Sequence, residues 1–419
     1  MLENFSHRSE VIDSRERDRY KDSRIYDILH SKRFGELSRE LRTPTAYLRT
    51  GNHEIDQANA EQIKSDQAYV AKRRRDFKES DPYTGRSKQE IKETNEVARI
   101  SEVLITKIIN ECLLFADNKS HLGKDLPAPH LYRSKAKLAT EYDDIAHHTD
   151  VICLPGETAP SPDRVIAFGL DVTLHDGQDS QLPFEHKNHA LKNITENTPL
   201  PDVYCDLVEG YDHAFNVPGF TIALDKDDVV QLAVFHFLNR QNDPALKEFQ
   251  QKTFQECQEK FTRVVLLELI VQASVLSDIA YHVADNKELP EGEDNHAMKT
   301  GDKYAQAQTF FSLAATKTAL STGHARHEMS RWITETPVVT NAQNLIKYYL
   351  EVLYKNIPDI KTDFNNYKSE LQNGGEHDVV YDFYLALEEY AYKDPQKQTQ
   401  ETSKKSTQQK VTATRTSQT

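Results

Sequence analysis

Cysteine is scarce in this chain, and its four cysteines, Cys112, Cys153, Cys205 and Cys257, lie far apart. No two of them form a CxxC pair, so nothing indicates a zinc ribbon or a disulfide framework. Three of the four sit among apolar residues, as is typical of buried free thiols. We therefore expect a cytoplasmic protein without disulfides.

Long apolar runs are also missing. No stretch reaches the roughly 18–20 consecutive apolar residues that a membrane-spanning helix needs. The strongest candidate, residues 264–280, is interrupted by Glu268, Gln272 and Asp278, and it is predicted to be a buried core helix. The first residues show no basic segment followed by an apolar one, so no secretory signal is visible. We therefore expect a protein that has no membrane partner and is not secreted.

Several short catalytic motifs do not occur. No GxGxxG segment follows a predicted strand, and the sequence contains neither a Walker A motif nor a GxSxG elbow. Nucleotide-cofactor chemistry and serine-hydrolase chemistry are therefore unsupported. Cys153 lies in an apolar strand, where burial keeps a thiol protonated and unreactive.

The chain is acidic, with a formal net charge of −14. This charge argues against non-specific nucleic-acid binding over the whole surface. Two local basic runs could still contact nucleic acid, although a solvated helix face is the simpler interpretation of each. The runs are Lys72-Arg73-Arg74-Arg75 and Arg133-Ser134-Lys135-Ala136-Lys137.

Composition along the 419 residues predicts four regions. Residues 1–86 alternate charges of both signs and are predicted to form loosely docked or partly disordered helices. Residues 87–240 are predicted to form an α/β core, and residues 241–393 a helical region that could bind a partner or a second copy of the chain. Residues 394–419 contain almost no apolar side chains and are predicted to be a disordered tail.

The predicted core begins with a long helix. Ser87 and Glu90 form a capping box, and apolar residues recur at helical spacing as far as Phe115. Glu111 falls at the edge of this apolar stripe, whereas Glu102 is predicted to point away from it.

A β-hairpin is predicted after this helix. Two short β-rich runs, 151–154 and 164–170, are separated by a proline-rich connection. A helix near 184–196 and strands near 203–208 and 220–224 follow. Beyond residue 240 the pattern is helical throughout. The predicted helices there are 244–285, 302–322, 339–356 and 377–392, with a polar break at 286–295.

Two aspartates border the predicted hairpin. Asp150 precedes its first strand, Asp171 ends its second, and their midpoint falls in the proline-rich connection. An antiparallel hairpin would therefore place the two carboxylates side by side. Like charges this close are destabilising unless a cation lies between them, and oxygen ligands favour Mg²⁺ or Mn²⁺. The hairpin is thus predicted to carry a divalent-metal site.

This arrangement resembles the PD-(D/E)XK nuclease superfamily over roughly residues 95–225. That superfamily has an Asp at the start of one strand and a (D/E)-x-K triplet at the end of its antiparallel neighbour. Asp150 is similar to the first Asp, and Asp171-Val172-Thr173 is similar to the triplet. The resemblance implies metal-dependent phosphodiester hydrolysis. It also implies an α+β fold with a small mixed sheet and a restriction-endonuclease-like core, here with long helical N- and C-terminal extensions.

The sequence departs from the family pattern at three points. Thr173 occupies the lysine position, and no proline precedes Asp150. The first strand of the sheet is not evident, since residues 131–138 are only a weak candidate.

Other residues could complete the site that the resemblance implies. Lys187, with Lys192 in reserve, could supply the missing ammonium group from the following helix. In some family members a helix adds a third carboxylate, which here could come from Glu111, Glu141 or Asp144. The alternative is a non-catalytic interaction protein, in which long helices bind a partner and the carboxylates only cap turns.

Histidines around the hairpin allow a second type of metal site. They could join Asp150 or Asp171 at a transition metal, but no HExxH motif occurs, and ordinary surface histidines are favoured. The histidines are His147, His148, His175, His186 and His189.

Overall fold

Helices predominate around one small mixed sheet, so the fold is α+β, as predicted. The structure is a computed structural model. It describes residues 23–42, 53–80, 88–110, 135–154, 167–175, 189–204, 213–214, 216–238, 244–287, 293–316 and 322–393.

Two short helices near the N-terminus pack into the core. α1 spans Ser23–Leu29 and α2 spans Lys32–Glu40, with the Ser31 side chain accepting a hydrogen bond from the backbone N–H of Phe34 at 3.2 Å. Ile25 and Ile28 are fully buried, and Phe34 is nearly so. The prediction of loose docking is wrong for residues 23–42, because a short apolar face lies among their alternating charges.

Two longer helices precede the sheet. α3 spans His53–Ser80 and α4 spans Lys88–Ile108, after which Ile109 and Asn110 form a π-helical turn. The apolar stripe predicted for α4 is buried, and it packs against α1 and the sheet. Ser87, Glu111 and Phe115 of the predicted helix lie outside the described residues.

The main sheet has four strands in the order β1-β2-β3-β6. β1 pairs antiparallel with β2, β2 antiparallel with β3, and β3 parallel with β6. β1 lies within the weak strand candidate at residues 131–138. A second, two-stranded sheet joins β4 to β5. The strands are β1 Lys135–Leu138, β2 Val151–Leu154, β3 Phe168–His175, β4 Val203–Tyr204, β5 His213–Ala214 and β6 Gly219–Asp225.

β3 continues four residues beyond Asp171, so the prediction that Asp171 ends this strand is wrong. The antiparallel pairing with β2 covers only residues 168–170 of β3. The parallel pairing with β6 continues to His175 and holds the rest of the strand extended. Because β6 lies some fifty residues further along the chain, the local pattern around the hairpin carries no sign of it.

Side chains from helices close both edges of the main sheet. At the β1 edge, Asn110 accepts from the backbone N–H of Ala136 at 2.7 Å and donates to its carbonyl at 2.9 Å. At the β6 edge, Gln272 accepts from the N–H of Thr221 at 2.8 Å and donates to its carbonyl at 2.6 Å. Both amides thus mimic a neighbouring strand, which satisfies backbone groups that burial would otherwise leave costly.

The remaining helices surround this sheet. One helix ends at Asn286 and the next begins at His296, on either side of the predicted polar break at 286–295. Two helices, at 322–335 and 358–372, were not predicted. The remaining helices are α5 Glu141–His147, α6 His189–Glu196, α7 Lys226–Ala233 with a π-helical turn at Val234–Leu238, α8 Pro244–Asn286, α9 His296–Thr316, α10 Thr322–Glu335, α11 Thr340–Asn356, α12 Pro358–Gln372 and α13 Val379–Tyr392.

α8 is the central helix of the fold. Its segment Lys252–Asn286 is long and apolar enough to cross a membrane by composition alone, but 89% of its most apolar window is buried inside the protein. The prediction of a buried core helix is therefore confirmed. The buried apolar residues form one continuous core from Ile25 to Ala391, so the α/β part and the C-terminal helices share it.

Candidate functional site

Two hydrogen bonds tie Asp150 to β3. Its backbone N–H donates to the Leu170 carbonyl at 2.8 Å, and its carboxylate Oδ2 accepts from the Val172 backbone N–H at 2.6 Å. These partners flank Asp171 in the chain, so the Asp150 carboxylate lies alongside that residue. The hairpin prediction placed the two aspartates side by side because their midpoint falls in the proline-rich connection. The observed pairing of Val151 with Leu170 gives that register, since Asp150 and Asp171 are the residues next to this pair in the chain.

Asp171 lies in the middle of β3, opposite Thr221 of β6, and is only 8% exposed. Successive strand residues point to opposite faces of a sheet. Phe168 packs edge-on against Phe311 of α9, with ring centroids 5.0 Å apart. Asp171 and Thr173 therefore project from the other face, towards α4.

Glu102 of α4 belongs to the same group of carboxylates, so the prediction that it points away from the core is wrong. It is half-buried. Burial, and then the charges of Asp144 and Asp171, raise the pKa of Glu102 from 4.5 to about 7, while Arg99 and Arg42 lower it. α4 contacts both the sheet and α7, so more of its circumference is covered than a single apolar stripe indicates.

The carboxyl group of Asp150 is affected by burial and by neighbouring carboxylates, as that of Glu102 is. Burial raises its pKa well above the ordinary value, and the charges of Asp171, Glu102 and Asp144 raise it further. The hydrogen bond from the Val172 N–H acts in the opposite direction. Glu102, Asp144, Asp150 and Asp171, which we call the carboxylate cluster, come from α4, α5, the turn before β2, and β3.

Not every predicted site residue belongs to this cluster. Glu111 and Lys187 lie outside the described residues, as does the side chain of Glu141, which begins α5. Lys192 of α6 is 65% exposed and lies 4.0 Å from Glu196. α6 packs against α8 and α9, on the side of the sheet that Phe168 faces, so Lys192 is remote from the cluster.

The donor set of the cluster suits a hard divalent cation, because all of its ligand atoms are carboxylate oxygens. Within the described parts of the chain, no group of three or more His, Cys, Asp or Glu residues has the geometry to hold a metal ion. A metal site built from three or more protein side chains, whether carboxylates or histidines, therefore has no support there. Mg²⁺ is commonly held by only one or two carboxylates together with water and substrate phosphate. The Asp150–Asp171 pair fits that kind of site.

Three residues near the cluster were missed by the sequence interpretation: Glu102, Arg42 and Arg99. Arg42 and Arg99 are exposed, and both act on the charge of Glu102. No local pattern marks any of the three, because they come together only when residues 23–42 and α4 pack against the sheet.

Comparison of the chain with protein-family models, with curated proteins and with solved structures finds no match.

Proposed function

We propose that this protein is a divalent-metal-dependent nuclease that hydrolyses phosphodiester bonds. The carboxylate cluster is the observation that carries the proposal. Burial and neighbouring carboxylates raise the pKa of Glu102 and of Asp150, so ionising these two groups is unfavourable for folding at neutral pH. A bound cation would relieve the repulsion between these carboxylates, so the arrangement is well explained by a metal site.

The order of elements around the cluster supports this proposal. α4 is followed by the three strands β1, β2 and β3, and α6 by β6, as the α-β-β-α-β order of the PD-(D/E)XK resemblance implies. In this chain α5 is inserted between β1 and β2, and β4 and β5 are inserted between α6 and β6. Asp150 stands just before β2, as the motif requires of its first Asp, whereas Asp171 stands within β3 rather than at its end.

Each residue of the cluster has a role in this proposal. Asp150 and Asp171 would hold Mg²⁺ or Mn²⁺, which would supply a polarised phosphate and an activated water when bound. Glu102, the neighbouring carboxylate on α4, would accept a proton from that water. Asp144 is exposed, and its negative charge raises the pKa of Glu102 and of Asp150.

Metal titration and cleavage assays test the proposal together. The wild type should bind Mn²⁺ by calorimetry and should cut at least one member of a panel of single- and double-stranded DNA and RNA. Asp171→Asn should lose both properties, because it removes a ligand. Asp359→Asn, at an exposed position on α12, is the matched control and should behave as the wild type. A wild type that neither binds Mn²⁺ nor cuts any substrate would end the nuclease proposal.

One observation favours a second candidate, a non-catalytic interaction protein. The Asp150 carboxylate already serves a structural purpose by accepting the Val172 N–H, and Thr173 stands where the family has its lysine. In that case Asp150→Ala, which removes the acceptor of the Val172 N–H, should cost about 0.5–2 kcal/mol of stability, as loss of a capping side chain does, with no dependence on metal. A metal site predicts the reverse, since removing one of two repelling carboxylates should leave the apo protein equally stable or more stable.

A further inference from the structure

A phosphodiester substrate is an anion, and the carboxylate cluster repels it. The family pattern places a lysine two residues after Asp171, but Thr173 occupies that position. Lys192 packs on the other side of the sheet. Lys187 lies outside the described residues, so within the part of the chain that the structure describes, positive charge for the substrate has to come from other residues near the cluster.

Arg99 lies one helical turn before Glu102 on α4, so the two side chains lie on neighbouring parts of one helix surface. Its guanidinium carbon is 5.7 Å from the centre of the Phe34 ring. Phe34 is 1% exposed, so the ring is a fixed platform for that guanidinium. Arg99 itself is exposed and can be reached by a ligand.

Arg42 is held beside the cluster by backbone contacts. The carbonyl of Leu41 accepts from the N–H of Leu138 at 2.8 Å, and Arg42 forms a parallel β-bridge with Leu138. Leu138 pairs with Val151, the residue that follows Asp150. The end of the α1–α2 segment is therefore joined to the β1 edge of the sheet, and Arg42 is exposed there.

Both arginines reach Glu102 electrostatically without forming a direct ion pair. The β-bridge of Arg42 with Leu138 and the contact of Arg99 with the Phe34 ring hold both residues near the cluster, and their positive charge lowers the pKa of Glu102. Yet across the described ranges neither guanidinium lies within the 4.0 Å of a carboxylate oxygen that defines an ion pair. Because no described carboxylate pairs with either exposed arginine, both have hydrogen-bond donors available for an anion beside the half-buried acidic site.

We propose that Arg42 and Arg99 bind the phosphate backbone of a nucleic-acid substrate beside the carboxylate cluster. This inference rests on the proposed nuclease function and adds the substrate-binding half of the same site. A guanidinium presents a planar pair of donors that matches two phosphate oxygens, which a single ammonium group does not. The α1–α2 segment then forms one wall of the site, since it supplies both Arg42 and the Phe34 platform under Arg99.

Binding of labelled oligonucleotides can test the arginines separately from catalysis. Fluorescence anisotropy with fluorescein-labelled single- and double-stranded DNA and RNA would be measured in Ca²⁺ over a range of salt concentrations. Arg42→Gln and Arg99→Gln should each weaken binding several-fold. Each variant should also make the slope of log K against the logarithm of the salt concentration shallower by about one, because one phosphate contact is lost. Affinity for Mn²⁺ by calorimetry should stay within twofold of the wild type.

Matched variants separate phosphate binding from an effect on folding. Arg331→Gln removes an arginine on α10 that is 80% exposed and donates to Glu335 at 3.0 Å, and it should bind and cut as the wild type does. Arg99→Lys keeps the charge over Phe34, so it should restore the salt dependence but not the full affinity. Melting temperatures of all variants would show whether any loss follows from unfolding.

The possible results distinguish this inference from the function on which it rests. If the wild type binds Mn²⁺ and cuts, while both glutamine variants bind oligonucleotides as it does, the arginine assignment is refuted and the nuclease proposal stands. If oligonucleotide binding depends on the arginines but the wild type never cuts, the phosphate site stands and the nuclease proposal fails. A wild type that binds none of the oligonucleotides refutes the assignment outright.

Discussion

Raising the pH should destabilise this protein, and Glu102→Gln should remove a large part of that effect. Burial and the charges of Asp144 and Asp171 raise the pKa of Glu102 from 4.5 to about 7. The folded state therefore holds this proton more tightly than the unfolded chain does. Its contribution to stability is fully present below pH 4.5 and is lost as the pH rises through about 7.

The size of the effect follows from the same pair of values. One pKa unit corresponds to about 1.4 kcal/mol, so ionising Glu102 in the folded protein costs about 3 kcal/mol. Because the pKa differs between the folded and unfolded states, the free energy of unfolding should fall by about 2.5 kcal/mol between roughly pH 5 and pH 8. Asp150 and Glu268 also have raised pKa values and contribute in the same direction. Glu268 keeps its surroundings in the variant, whereas Asp150 loses one of the charges that raise its pKa. The difference between wild type and variant therefore reports Glu102 together with its coupling to Asp150.

Urea unfolding in EDTA at several pH values between about 5 and 8 measures this difference. Glu102→Gln should match the wild type at the acidic end and exceed its free energy of unfolding by about 2–3 kcal/mol at the alkaline end. Glu96→Gln, on a different face of α4, is the control and should follow the wild type throughout. Parallel curves for all three proteins would refute the reasoning, because they would mean that Glu102 is solvated rather than held among other carboxylates.

Three further outcomes are expected. Leu267→Ala or Leu269→Ala, at fully buried positions on α8, should cost about 2–5 kcal/mol by chemical denaturation; near-neutral results for both would contradict the packing. Glu268 is fully buried, burial raises its pKa, and its Oε2 accepts from the Ala223 N–H at 3.0 Å. Glu268→Gln keeps that acceptor without a titratable group, so it should unfold at higher urea than the wild type above neutral pH, and a lower midpoint would show that the carboxyl proton itself is needed. Removing the tail from Asp394 onward, which lies outside the described residues, should leave the melting temperature unchanged, because it has few apolar groups to offset its chain entropy.

Local patterns in the sequence were sufficient for part of this fold. The apolar period of α4, the burial of α8 and the polar break after it depend on spacing within one element, where neighbouring residues decide the outcome. The position of Asp150 beside Asp171 could also be predicted from a local pattern. A hairpin brings together residues that are equidistant from its turn, so the proline-rich connection was enough to predict their proximity.

The tertiary structure alone decided the rest of the site. Asp171 lies within β3 rather than at its end, because β6 supplies a second partner from far along the chain. Glu102 joins the cluster because α4 lies across the sheet, and Arg42 because the α1–α2 segment bonds to the β1 edge. Each of these contacts links residues that are distant in sequence. Periodicity and turn chemistry describe which face of an element is buried, whereas the partner that covers it is chosen by packing of the whole chain.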